Sequence, residues 1–286
     1  MIFAPVKPGL FLIMDEMPKI ELQPIGVIRC ARKYRYEAPR QGAFDGSDGV
    51  IELLPAYGGD AVSDLAGFDR IWVIFCFHLN QGKNWKPKVR PPFPVSGPCR
   101  SLFATRSPYR VNPVGLSCVG LAGISGNRLF IRQMDMLDGT PVLDIKPYIP
   151  EADAFPDSAA GWRMEVPEAG EMRWEVEYTS RFRAESAFIF RRSGLDLLNF
   201  SAIHLANEPF DTSRKRVKFL PESGLWQLGC RTWKIIFRAD TEKRKICAEK
   251  IQSNYTPEEL LPQAADRYGD KDIHREYLSC KIFSKN

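Results

Sequence analysis

Along the first half of the chain, apolar residues come in short β-branched and aromatic runs rather than at helical spacing. Pro24–Cys30 opens after a proline with Ile25, Val27 and Ile28, and Gly49–Leu54 repeats the texture, so both predict strands. Arg70–Phe77 is apolar at nearly every position over a strand's length, which predicts a central strand covered on both faces. Ser101–Thr105, Leu116–Leu121, Arg128–Arg132 and Val142–Lys146 carry the same strand signature. Asp60–Leu65 reads as a helical turn, and the proline-rich stretch from Lys86 to Gly97 as a loop. Short strands parted by turns, with almost no helix between them, predict a barrel or a sandwich.

The pattern changes near Pro150. Residues 151–180 hold Ala, Asp, Pro and Glu without a clear period and predict a linker. Beyond it Phe188, Leu195, Leu198 and Ile203 fall at roughly helical spacing, while Trp233–Arg238 and Lys245–Ile251 flank a polar turn as a hairpin would. The expected organisation is an N-terminal extension at 1–19, a strand-rich domain at 20–150, the 151–180 connection and a small α+β domain at 181–286. The apolar run Gly9–Met14 is too short to span a bilayer, and Met14 or Met17 would serve equally as a start.

Composition adds little until it is divided along the chain. With 44% hydrophobic and 26% charged residues over 286 positions, the protein belongs to the ordinary globular class. Its net charge of +5 hides a segregation. From Arg70 to Met134 there are ten Lys or Arg and no acid; from Asp211 to Lys250 there are eleven basic residues against five acidic. Such windows suit a polyanion, nucleic acid first, unless the basic residues scatter over separate strands and never share a face. Seven cysteines stand far apart with no CxxC, as expected of reduced thiols in a cytoplasmic protein.

Several chemistries are excluded. Gly120–Gly126 lacks the GxGxxG spacing and leads into a strand, so it is read as a hairpin turn rather than a dinucleotide loop. His78, His204 and His274 are too widely separated to form a ligand pair, no GxSxG exists, and no metal is expected. Two denser segments remain. Phe103–Ser117 sets Arg106, Arg110 and Asn112 among Pro108, Pro113 and Gly115, which fix the backbone path. Asp135–Tyr148 runs from the turn Asp138–Pro141 into a strand.

These segments, together with Pro39-Arg40-Gln41, Phe68–Trp72, Phe77-His78, Val89–Pro92, Phe103–Ser107, Arg110–Pro113, Gly115–Ser117 and Leu137–Tyr148, resemble a bacterial and archaeal tRNA methyltransferase family. That family methylates N6 of threonylcarbamoyladenosine at position 37. The likeness runs in consistent order from about Ile20 to Pro150 and is looser beyond, where Glu208-Pro209 and Arg214–Arg216 are similar to a basic segment of the family's second domain.

The resemblance implies a mainly β protein: a single-sheet β-barrel, not a Rossmann fold, with a small C-terminal α+β domain. It implies a homodimer that binds S-adenosylmethionine near the subunit interface and takes the tRNA anticodon loop as substrate, with no membrane and no metal. Cofactor contacts carried over by motif are Pro39, Arg40, Gln41, His78, Leu79, Arg106, Leu116, Asp138, Gly139, Thr140 and Pro141. Leu79 stands where the family often has Gln, and Val111 where it often has Pro. Within that scheme Arg106 suits the cofactor's carboxylate, the Asp138 turn its ribose or adenine, and His78 the proton of the target nitrogen. Lys86, Lys88, Arg90, Arg110, Arg214, Lys215 and Arg216 would meet tRNA. The competing reading is a non-catalytic RNA-binding or regulatory barrel.

Overall fold

A computed structural model describes residues 20–39, 42, 47–91, 97–165, 174–207, 209–212 and 216–280. The N-terminal extension therefore lies outside the described residues, as do Arg40, Gln41, Glu208, Arg214 and Lys215.

Among the described residues eight strands occupy the first half: β1 (Gly26–Arg29), β2 (Asp48–Leu53), β3 (Arg70–Cys76), β4 (Lys88–Val89), β5 (Arg100–Ser101), β6 (Val114–Ser125), β7 (Arg128–Arg132) and β8 (Pro141–Pro147). Six of them close an antiparallel barrel in the order β1-β2-β7-β6-β3-β8, while β4 and β5 pair only with each other. Alternation chooses the inward residues: Ile28, Ile51, Ile71, Val73, Val119, Leu129 and Val142 are fully buried inside the barrel. The interior is narrow. A Cβ at Gly115 would lie 2.3 Å from the Phe75 ring, so this inward position of β6 excludes a side chain. The continuous apolar run of β3 is explained by its outer face, where the Trp72 indole donates to Asp153 at 2.9 Å on a short helix α1 (Pro150–Asp153).

Two local expectations are corrected. Of the strand read at 101–105 only Ser101 belongs to a strand, paired with Lys88, because Leu102–Ala104 coils into a 3-10 turn that buries Leu102. The glycine-rich 120–125 stretch continues β6, with an irregularity between Leu121 and Gly123, and the turn is confined to Gly126 and Asn127. Gly126 adopts φ +58°, and the Asn127 side chain donates to Leu53 O at 2.7 Å.

Because the barrel strands alternate in direction, its connections sort onto two rims. One rim carries the β1–β2, β3–β6 and β7–β8 connections, and the last of these plugs that end with Met134 and Met136, both in the core. The other rim carries the 3-10 turns of residues 55–67 and the β6–β7 hairpin.

The second half forms a five-stranded sheet in the order β10-β11-β12-β13-β9. Its strands are β9 (Glu175–Tyr178), β10 (Val217–Leu220), β11 (Leu225–Cys230), β12 (Trp233–Asp240) and β13 (Lys245–Ser253). Helices α2 (Ser180–Ser193), α3 (Leu197–Asn207) and α4 (Lys271–Ser279) accompany it. Here β9, inside the stretch read as a linker, adds the parallel edge strand beside β13. Thr179 caps α2 by accepting from Phe182 N at 3.0 Å, and Gly194 ends it with φ +72°. Phe182, Ile189, Leu197, Phe237 and Ile246 are fully buried in the core between helices and sheet. Among the described residues no helix is long and apolar enough to cross a membrane.

Candidate functional site

All the described candidate residues of the barrel lie on one rim or on the strand ends that enter it. The turn at Asp138 is tied to the end of β1 by four hydrogen bonds. Cys30 N donates to Asp138 Oδ1 at 3.1 Å and Asp138 N to Arg32 O at 2.7 Å. Gly139 N donates to Ile28 O and Ile28 N to Thr140 O, both at 2.9 Å. Gly139 has φ +74° and nothing within 4 Å of where a Cβ would stand, so the turn's backbone is open to close approach.

The 3-10 turn His78–Asn80, which follows β3, meets this turn from the side. Thr140 Oγ1 lies 3.4 Å from His78 Nδ1, and the Arg35 guanidinium donates to the Leu79 carbonyl. Burial first, and then the nearby Arg35 charge, hold the His78 pKa below its ordinary 6.5. The imidazole is therefore neutral at pH 7 and able to accept a proton. Beside it, Asn80 is 7% exposed and its amide nitrogen has no hydrogen-bond partner among the described residues. A buried amide donor of this kind suits an acceptor group of a ligand.

The loop bearing Pro39 is seated on the same plug. Pro39 itself is buried, and a Cβ at Gly42 would lie 2.0 Å from Gln133 O, which leaves room only for glycine. Asp135 accepts Ser117 Oγ at 2.6 Å and the Gly42 backbone N–H, while burial raises its pKa. Behind the loop, Glu37 receives Arg231 of the second half in two hydrogen bonds of 2.6 and 2.8 Å.

The structure thus gathers His78, Leu79, Asp138, Gly139 and Thr140 around the segment 28–37, with Pro39 beyond it. Leu116 stands apart: it pairs with Ile74 in register and faces outward, 58% exposed. Arg106 is exposed on the loop before β6, which joins the rim through Phe77 N donating to Pro113 O at 2.7 Å. Arg110 is turned back onto its own loop, donating to Thr105 O at 2.9 Å and lying 5.7 Å from the Phe103 ring centre. Lys86, Lys88 and Arg90 are exposed around the β4–β5 ribbon, and Arg216 lies against Tyr36 in the second half. Sequence reasoning missed Arg35, Asn80 and the Glu37–Arg231 pair. The dense Tyr34-Arg-Tyr-Glu37 run was the signal for Arg35 and Glu37, and nothing local pointed to Asn80 or Arg231.

Comparison with known proteins adds to this geometry. The model of the tRNA-methyltransferase O N-terminal domain matches residues 27–154. The tRNA (adenine(37)-N6)-methyltransferase of Escherichia coli K12 is 35% identical over 205 residues, which cover 70% of this chain and 86% of that protein. A putative S-adenosylmethionine-dependent methyltransferase of Pseudomonas aeruginosa PAO1 is 35% identical over 216 residues, 74% of this chain and 88% of that one. Among solved structures, a crystal structure of TrmO from Pseudomonas aeruginosa superposes with TM-score 0.61 at 27% identity, covering 83% of this chain and all of that chain.

Proposed function

Since this chain belongs to the tRNA-methyltransferase O family, we infer that it is an S-adenosylmethionine-dependent enzyme that methylates N6 of adenosine 37 in tRNA. We propose further that the adenosine it receives already carries a threonylcarbamoyl group on that nitrogen. The observation that carries the reading is the convergence of the His78 turn and the open Asp138–Thr140 turn beside an unpartnered buried amide. This donor set fits a zwitterionic nucleoside-like cofactor: an acceptor carboxylate at Asp138, a donor at Asn80, approachable backbone at Gly139 and a guanidinium at Arg106.

S-adenosylmethionine supplies, when bound, an electrophilic methyl carbon on its sulfonium. The chain's own work is orientation, charge and proton handling. Arg106 would hold the cofactor's carboxylate, a group a guanidinium binds well. Asp138 and Gly139 hold its ribose or adenine edge, with Pro39, Arg40, Gln41, Leu79, Leu116, Thr140 and Pro141 completing the contacts. Leu79 offers its carbonyl to Arg35, so this position works through backbone and apolar packing. The target nitrogen must lose its proton, and His78, kept neutral by its surroundings, receives it.

The enzyme works as a homodimer. Support comes from the apolar residues left exposed on and beside the β3–β6 connection, among them Phe103 at 78% and Leu116 at 58%. A second copy on this face brings Arg106 and Leu116 into a completed cofactor site. The anticodon loop then meets Lys86, Lys88 and Arg90, with Arg110, Arg214, Lys215 and Arg216 extending the basic track. Incubation with cofactor and tRNA, followed by nucleoside mass spectrometry, tests the activity: methylated threonylcarbamoyladenosine is expected. Failure of millimolar S-adenosylmethionine to raise the melting temperature would overturn the cofactor assignment.

A further inference from the structure

A second concave site lies on the C-terminal sheet, away from the methyl-transfer residues. Register sets Lys218 opposite Gln227 and Lys234 opposite Gly229, and alternation places Arg216 on the face of Lys218. Residues of the other face, Val217, Leu228 and Ile235, are buried in the core. Glycine at 229 leaves the polar face hollow, and a cavity of about 300 Å³ opens there between the strands and Tyr36.

The cavity's chemistry is that of an anion site. Arg216, Lys218, Arg231 and Lys234 line it with no carboxylate among the lining residues. The Arg216 guanidinium lies 3.3 Å from the centre of the Tyr36 ring, and Tyr34 stacks on Tyr36 at 5.5 Å. Among the described residues Lys218 and Lys234 have no acidic partner, whereas elsewhere on the sheet Arg238 pairs with Glu249 and Lys245 with Glu175 and Glu177. The like charges of Lys218 and Lys234 repel each other, and an anion between them relieves that repulsion. The position also matters. Tyr36 stands three residues before Pro39, and its hydroxyl accepts from Arg231 N at 3.3 Å, so the cavity wall is the base of the cofactor loop.

We propose that this cavity binds a backbone phosphate of the tRNA and holds the substrate strand against the 34–39 segment. The proposal rests on the tRNA reading above and adds a defined second contact to it. Lys218 and Lys234 neutralise the phosphate and Gln227 and Asn254 donate to its oxygens, while Arg216 stays against the Tyr36 ring.

The test compares wild type with Lys218→Ala/Lys234→Ala and with Gly229→Val. A Cβ at 229 makes only an ordinary 3.6 Å contact with Arg216 O, so the position accepts a side chain, and valine there narrows the cavity. Binding of an anticodon stem-loop should weaken about tenfold or more in both variants. For the lysine pair, the slope of log K against log salt should flatten by about one, the loss of one neutralised phosphate. S-adenosylmethionine affinity should be unchanged. Lys243→Ala, at the far end of β12, should have little effect. Wild-type stem-loop affinity in either cavity variant would overturn the proposal, as would an equal loss at Lys243. Loss of inorganic phosphate binding without loss of stem-loop binding would overturn it in favour of a free-anion site. If wild type methylates no tRNA, the functional reading fails as well; if it does and the variants match it, only the cavity is misassigned.

Discussion

Replacing Arg231 with Met should be the most damaging conservative change in the connection between the two halves. Its guanidinium binds Glu37 at 2.6 and 2.8 Å and the Ala31 carbonyl at 2.7 Å, with side-chain exposures of 13% for Arg231 and 3% for Glu37. Removing one partner leaves a buried carboxylate uncompensated, which costs about 3–5 kcal/mol. Glu37 does more than pair. Its Oε2 also accepts Lys33 N at 2.8 Å and Tyr34 N at 3.3 Å, closing the 3-10 turn ahead of Pro39. A Glu37→Gln/Arg231→Met double variant keeps an acceptor for those amides while deleting both charges. It should recover at least half of the loss. Urea unfolding of the two variants measures the stability, and calorimetric titration with S-adenosylmethionine measures the loop. Arg231→Met should weaken cofactor binding through a loosened 31–39 segment, and the double variant should restore it. A single-variant loss below about 1 kcal/mol, typical of a surface pair, would refute the assignment of a buried clamp. So would a double variant no more stable than the single one.

Other outcomes follow from the rim and the core. His78→Gln should lower kcat by about 10²-fold or more. In wild type the acid limb of kcat/KM should fall only below pH 6.5, because a lowered histidine pKa keeps the base neutral to more acidic pH; the variant should lose that limb. Arg106→Ala should weaken S-adenosylmethionine by about 10–100-fold, the loss of charge-assisted hydrogen bonds of about 1.5–3 kcal/mol, with little change in melting temperature. Gly115→Ala should destabilise the barrel by about 1–3 kcal/mol through its clash with Phe75, and Phe75→Leu in the same chain should relieve part of that in thermal unfolding.

Much of the barrel was legible because its physics is local. The inward residues of β1, β2, β7 and β8 alternate with outward ones, and proline, glycine or Asp-Gly marks where each strand begins or turns. Other elements depend on distant partners. The strand β9 is four residues long, Glu175–Tyr178, and is extended because β13 lies beside it, not because its own sequence insists. Leu102 and Phe103 have strand propensity, yet Leu102 is buried by a 3-10 turn and Phe103 is left 78% exposed. The site divides the same way. The Asp138–Pro141 turn is written in a contiguous motif, whereas Asn80 becomes notable only when the fold buries its amide without a partner.

The charge windows show what three dimensions do to a one-dimensional signal. The acid-free stretch from Arg70 to Met134 does not form one face. Arg70 is bound to Gln133, and Arg128 pairs with Glu52 at 3.4 Å beside the hairpin of the opposite rim. Only its middle, from Lys83 to Arg110, belongs to the connection on the functional rim. The second window also separates. Arg238, Lys243 and Lys245 are matched by Glu249, Asp240 and the Glu175–Glu177 pair, and Arg231 by Glu37, whereas Lys218 and Lys234 share one cavity and have no acidic partner among the described residues. A salt bridge removes a cation from the field seen by a polyanion, so net charge per window overstates what RNA would feel. What matters is which cations keep no acid beside them and share a concave surface. By that criterion the footprint reduces to the exposed lysines of the β3–β6 connection and the two lysines of the cavity behind Tyr36.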